Sequence, residues 1–232
     1  MGVAVAHSLD PLLGGFYTLS EAARLLKINN SQRISRWLKS GNGCPIIIRD
    51  YEPVEKSQEL SFWDLIEVRF VEHFRSQGLS LQFLRKVAEK ARIEFKSSHP
   101  FALSKARFLT DRKRIFQQTA EEEGEGKTHD ILSGQYEMYE AIEEILAKGV
   151  AFDTATELAR EWRPLQSECP NVVIDPRFAY GHPVVGAKHI PTSALFRQWR
   201  SDNGNRERVA NWYGVNRGDV DEAIEFELRL NA

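Results

Sequence analysis

Apolar residues along the first hundred positions recur at helical spacing in short, punctuated stretches. Thr18 and Glu21 stand at capping-box spacing, and Ala22, Ala23, Leu25 and Leu26 then supply an apolar face, so a helix is expected to start there. Asn29 and Asn30 break it. Ser31 is placed to cap a second helix with Ile34, Trp37 and Leu38 inward, ended by Gly41 and Gly43. Two short helices joined by a tight turn make a helix-turn-helix. The β-type run Pro45 to Arg49 follows, then a polar stretch from Asp50 to Gln58, then Glu59-Leu60-Ser61 as a return strand. That pattern predicts a wing. Ser61 and Asp64 repeat the capping-box spacing ahead of a long helix with Leu65, Val68, Phe70, Val71 and Phe74 inward. Gly78 stops it, and Ser80 caps another helix striped by Leu81, Leu84, Val87, Ala88 and Ala91.

The pattern weakens in the middle. Arg107–Thr110 and Lys113–Phe116 around Asp111-Arg112 read as a β-hairpin with basic outward positions, and 119–130 as an acidic, glycine-containing loop. Residues 136–148 read as a helix with Tyr139, Ile142, Ile145 and Leu146 inward. Phe152 to Trp162 fits either helix or strand. Further on, Asn171–Ile174 is a strand signal, and three helices are expected over about 192–201, 206–212 and 219–230. The last two resemble a second helix-turn-helix, with Asn205 as a cap, Tyr213-Gly214-Val215 as the turn and Asn216 opening the final helix. The expected fold class is therefore mainly α with short β elements. It comprises a winged helix-turn-helix with a basic hairpin over 1–118, an acidic linker and helix over 119–170, and a small three-helix C-terminal domain over 171–232.

Charge sharpens this division. The net charge is only −2, so no global field draws the molecule to nucleic acid or anionic lipid. Locally, Tyr17 to Arg49 carries six bases and one acid, Arg85 to Gln118 ten bases and three acids, and Thr119 to Cys169 four bases and thirteen acids. A basic N-terminal half fits a nucleic-acid-facing surface, whereas a solvated helix face is the alternative for any single block. On the second helix Gln32, Arg33, Ser35, Arg36 and Lys39 have the side chains that read base edges and grip phosphate. Arg49, Lys56, Lys113 and Arg114 are further phosphate contacts. Cys44 and Cys169 are too far apart in sequence for a metal spacing and form no disulfide framework. With no basic segment and apolar run near Met1, and no apolar stretch of the roughly 20 residues that span a bilayer, a cytoplasmic protein is expected.

Catalytic patterns are missing. No phosphate loop, dinucleotide fingerprint or nucleophile in a recognisable setting occurs, so no enzyme and no cofactor are expected. Asp175, His182 and His189 match no metal-ligand spacing, and a turn role is the better reading. The five tryptophans fall mostly at helical apolar positions and read as core. The final helix carries Asp219, Asp221, Glu222, Glu225 and Glu227, which would meet phosphate with like charge. It is therefore expected to face protein, with Val220, Ala223, Ile224 and Leu228 inward or against a partner.

Four pieces in order, Tyr17-Thr18-Leu19-Ser20-Glu21-Ala22-Ala23, Arg33-Ile34-Ser35-Arg36-Trp37, Leu60-Ser61-Phe62-Trp63-Asp64-Leu65 and Gly78-Leu79-Ser80-Leu81, resemble the DNA-binding domain of MerR-type regulators. The long dimerising coiled coil of those regulators does not follow. Asp175-Pro176, Gly181-His182-Pro183-Val184-Val185-Gly186, Ile190-Pro191 and three helices resemble the small C-terminal domain of VapB-like type II antitoxins, and the layout of nearly the whole chain is similar to the longer members of that family. Where that domain often has Gly-Thr-Arg before the isoleucine, this chain has Gly186-Ala187-Lys188-His189. The resemblance implies an antitoxin that binds operator DNA, with a homodimer reading palindromic sites, and that neutralises a PIN-like ribonuclease toxin. Arg177, His189, Asp219, Glu222 and Glu225 are the candidate toxin-facing residues. The competing reading is a MerR-like regulator that senses a small molecule through its C-terminal half.

Overall fold

Among the described residues, four helices of the N-terminal part begin where short polar side chains satisfy the otherwise unpaired amides of a first turn. In the computed structural model, which describes residues 14–40, 43–52, 57–104, 115–116, 118–119, 122 and 148–231, Thr18 and Glu21 close a full capping box on α1 (Leu19–Leu25). The side chain of Asn30, one residue before the expected Ser31, caps α2 (Ser31–Trp37). Ser61 and Asp64 close a second capping box on α3 (Phe62–Ser76), and Ser80 caps α4 (Leu81–Phe95). A turn of 3-10 helix, Pro100–Ala102, packs Phe101 on Phe70.

The segment expected as the first wing strand is not a strand. Ile46 and Ile47 are both fully buried, which breaks the alternation of a half-buried strand. Their amides donate to the carbonyl of Trp37 at the end of α2, and Arg92 of α4 donates to the carbonyls of Pro45 and Ile46. With those groups engaged, no ladder forms along 45–49. Leu60 pairs instead with Tyr17, through reciprocal backbone bonds of 2.8 and 3.0 Å. The hairpin expected over 107–116 and the loop over 119–130 lie mostly outside the described residues. What is described there is helical: Ile115, Phe116, Gln118, Thr119 and Glu122. Phe116 is buried between Phe74 and Phe83, so tertiary packing overrides a weak period-2 signal. The helix expected over 136–148 lies outside the described residues but for Lys148, which sits in a turn.

Residues 152–162, open between helix and strand, form an antiparallel pair, β1 (Val150–Phe152) with β2 (Ala159–Trp162). Trp162 bridges to Ile174, which connects this hairpin to a small antiparallel sheet of order β3 (Val172–Val173), β4 (Val184–Val185) and β5 (Ile190–Pro191). The chain ends in α5 (Thr192–Ser201), α6 (Arg206–Tyr213) and α7 (Arg217–Leu230), the last two capped by Asn205 and Asn216 as expected. Val220, Ala223 and Ile224 of α7 are buried, while Leu228 is exposed. No helix of the described residues is long and apolar enough to cross a membrane.

The N- and C-terminal parts meet at polar contacts set in one continuous apolar cluster that runs from Tyr17 to Phe226. The Tyr17 hydroxyl donates to the carbonyl of Gly181 at 2.7 Å, and the Trp63 indole to that of Ala159 at 2.8 Å. Arg24 of α1 pairs with Glu227 of α7 at 2.5 Å, and Thr192 donates to the other Glu227 oxygen at 2.6 Å. The Glu227 side chain is only 4% exposed and that of Arg24 41%. Arg24→Ala leaves a buried carboxylate with the Thr192 hydroxyl alone. Because the arginine end is half in solvent, the expected loss is about 1–2 kcal/mol, well below that of a fully buried pair. A urea midpoint unchanged in Arg24→Ala would show that the pair contributes nothing.

Candidate nucleic-acid interface

Helix α2 is fixed from beneath by Ile34 and Trp37, both buried, which turns the opposite face outward. Gln32 and Arg36, four residues apart and so stacked on one face, are exposed, and Lys39 is exposed just beyond the helix end. These three keep free reach toward a ligand. The other two expected members are engaged within the chain. Arg33 pairs with Glu72 of α3 at 2.9 Å and lies over the Trp37 ring. Ser35 donates to Gln58 at 2.7 Å, which ties α2 to the chain returning toward α3. Arg49 is half-buried and one of its terminal nitrogens has no hydrogen-bond partner. Lys56, Lys113 and Arg114 lie outside the described residues.

The acidic residues of α7 are distributed differently from the expected outward display. Asp219 is a correction: it is 7% exposed, lying against Gly186, where an added Cβ would stand 2.6 Å from its carboxylate. Gly186 has φ +68, and this close approach explains why the turn before β5 carries no side chain there. Glu227 is likewise buried, on Arg24 and Thr192. Glu222 accepts from the amide and side chain of Asn171, Glu225 pairs with Arg229, and Asp221 with Arg206. Arg177 is exposed but forked onto Asp175, and His189 stacks on Phe178 with ring centres 3.6 Å apart. His182 meets the edge of Tyr17. Asp175, His182 and His189 therefore each serve a local turn or stack. Trp37 and Trp162 are core, but Trp212 on α6 is 74% exposed.

A buried polar cluster, unforeseen from the sequence, joins the start of α3 to the segment before it and to the turn after α4. His99 Nε2 is hydrogen-bonded to Asp50 at 2.8 Å, and its Nδ1 faces Asp64 and Glu67 of α3 at 3.7 and 3.8 Å. Burial pushes the Asp64 carboxyl up to about 7 against the pull of His99. Burial also opposes charge on His99, but the bonds and charges of Asp50, Glu67 and Asp64 outweigh it and hold the imidazolium up to about 10. The signal for this cluster in the sequence is slight: Asp64 and Glu67 are three apart on an otherwise apolar helix face, while Asp50 and His99 arrive from distant segments.

No family model matches the chain. It is 27% identical over 227 residues to the protein named "Putative antitoxin VapB45" of Mycobacterium tuberculosis, an alignment covering 90% of this chain and 92% of the relative. Its fold is similar to the crystal structure of Rv2018 from Mycobacterium tuberculosis, with a TM-score of 0.68 and 26% identity over 90% of this chain and 96% of that one.

Proposed function

We propose that this chain is the antitoxin of a type II toxin–antitoxin pair, a binding protein without catalysis that represses its own operon. The observation that carries the reading is the likeness, over nine-tenths of the chain, to a protein named as a VapB antitoxin. The basic outer face of α2 supports it: as the second member of a helix-turn-helix, α2 would enter the major groove and present Gln32 and Arg36 to base edges, with Lys39 on phosphate. A homodimer would match a two-fold operator. The toxin would be a PIN-like ribonuclease held by the C-terminal part, with Arg177, His189, Glu222 and Glu225 on the contact surface. Asp219 is too buried to contribute. An exposed tryptophan is an uncommon surface residue and a frequent anchor in protein interfaces, so Trp212 joins that surface.

The test is co-expression with the adjoining reading frame, followed by purification on a tag carried by this chain and by operator binding. A stable complex whose partner is a ribonuclease, inactive while bound, is expected. Operator binding with no partner retained would shift the reading to a MerR-like regulator, and neither activity would end both.

A further inference from the structure

We propose that His99 is a proton-operated clasp on the segment 45–50: its charged imidazole holds this strap against α3 and α4, and loss of the proton frees the strap and loosens the end of α2 that it seats. The strap is pinned at both ends. At the first, the amides of Ile46 and Ile47 donate to the carbonyl of Trp37 at the close of α2, at 3.1 and 3.3 Å, and Arg92 of α4 donates to the carbonyls of Pro45 and Ile46. At the second, Asp50 is held three ways. Its amide donates to Asp64 at 3.3 Å, one carboxylate oxygen accepts from the Ser61 hydroxyl at 2.5 Å, and the other is bonded to His99 Nε2 at 2.8 Å. Lifting the strap therefore parts Asp50 from His99 and withdraws the two amides from the end of α2.

The charge on His99 decides whether that end holds. The ring is buried beside Trp63, with Nε2 on Asp50 of the strap and Nδ1 facing Asp64 and Glu67 of α3 at 3.7 and 3.8 Å. Arg92 of α4 acts on Glu67, which also accepts from the amide of Phe101 at 3.1 Å. A neutral imidazole has one N–H. With the hydrogen on Nε2, a lone pair on Nδ1 faces Asp64 and Glu67; with it on Nδ1, a lone pair on Nε2 faces Asp50. Either tautomer sets a lone pair against a buried carboxylate and removes the cation the cluster requires. An imidazole in water releases its proton near its ordinary value of 6.5, whereas the seated ring keeps it up to about 10. The value is raised in the closed state, so the hold is full below about 6.5 and is lost as pH rises toward 10. Each opening in that window releases one proton, so the open fraction grows about tenfold per pH unit. Asp64, raised by burial to about 7, is ionised in both states at higher pH, so the range above neutrality reports His99.

Amide hydrogen exchange of the full chain, read residue by residue by NMR from about pH 7.5 to about pH 9, tests the clasp, at a temperature where reclosing outruns exchange. An amide whose opening is indifferent to protons exchanges about tenfold faster per pH unit, because base catalyses the exchange. The amides of Ile46 and Ile47 should instead gain about a hundredfold per unit, the second factor of ten coming from the proton lost by His99. In His99→Gln they should exchange faster than in the parent at neutral pH and follow the tenfold slope. The imidazole resonances of the parent need no variant, and His99 should stay charged well above its ordinary value. A tenfold slope for Ile46 and Ile47 in the parent, a hundredfold slope surviving in a folded His99→Gln, or a His99 ring titrating near 6.5 would each overturn the clasp. So would exchange of Ile46 and Ile47 no faster than that of Val68, buried within α3, since the strap would then leave only with the whole fold.

Discussion

Gly181→Ala is expected to remove about 3 kcal/mol or more of stability, a large share of the roughly 5–15 kcal/mol typical of a folded domain. Gly181 has φ +82, and a Cβ there would stand 2.3 Å from the Tyr17 hydroxyl, 2.9 Å from its ring carbon and 3.1 Å from the backbone of Gly15. The left-handed backbone adds a further cost of about 1 kcal/mol for any residue with a side chain. Relief is blocked on both sides. Tyr17 is fully buried and its backbone is paired with Leu60, while the Gly181 carbonyl accepts the Tyr17 hydroxyl. Tyr17→Phe alone removes one hydrogen bond and should cost about 1 kcal/mol. In the double variant the nearest clashing atom is gone, so the two losses should sum to more than the measured total. Equilibrium urea unfolding of the four proteins reads this directly. Strict additivity, or a Gly181→Ala midpoint equal to the parent's, would show that the approach is not as close as described.

The second large effect concerns the proposed operator binding. Gln32→Ala with Arg36→Ala should weaken binding to the native promoter by about 1–3 kcal/mol for each base-edge interaction removed, and should reduce discrimination against unrelated DNA. Arg33→Ala separates reading from support. Its guanidinium is engaged with Glu72 and Trp37, so its removal should loosen α2 on α3 more than it weakens the grip on DNA. Lys39→Ala should act on all sequences alike and lower the salt dependence. Fluorescence anisotropy against promoter and scrambled fragments at two salt concentrations distinguishes these outcomes. Full affinity and an unchanged salt slope in the Gln32/Arg36 variant would remove α2 from the interface.

The elements legible in the sequence are those whose instructions are local. Thr18 with Glu21 and Ser61 with Asp64 contain both halves of a cap within four residues, and both helices start there. The last two C-terminal helices are readable in a similar way, through the caps Asn205 and Asn216. Ile46-Ile47-Ile48 misleads because a β-branched run says nothing about where its backbone bonds go. They go to Trp37 and to Arg92, a residue 46 positions from Ile46. The acids of α7 mislead likewise. Their spacing fits a solvated or partner-facing surface, yet Glu227 is buried by Arg24, 203 residues earlier. The cluster at His99 is hidden twice: Asp64 has a sufficient explanation as a cap, and Asp50 reaches the histidine from 49 positions away. Of the interface, residue types on α2 are readable, but not that Arg33 and Ser35 are engaged within the chain.

Arg24 belongs to the first helix of the pair that carries the proposed reading face, and Glu227 to the last helix of the chain. Their ion pair, like the Tyr17–Gly181 hydrogen bond, ties the seating of the N-terminal part to that of the C-terminal part. Thermodynamic reciprocity follows. On the proposed function, a protein that prefers α7 seated against α1 would stabilise the arrangement in which α2 is held, and DNA would then raise the affinity for that protein by the same factor. A protein that must lift α7 to bind would lower affinity for the proposed operator by the factor with which DNA resists it. If the proposed operator and protein partner both bind, the partner's preference for α7 seated or lifted would set the sign of cooperation between them.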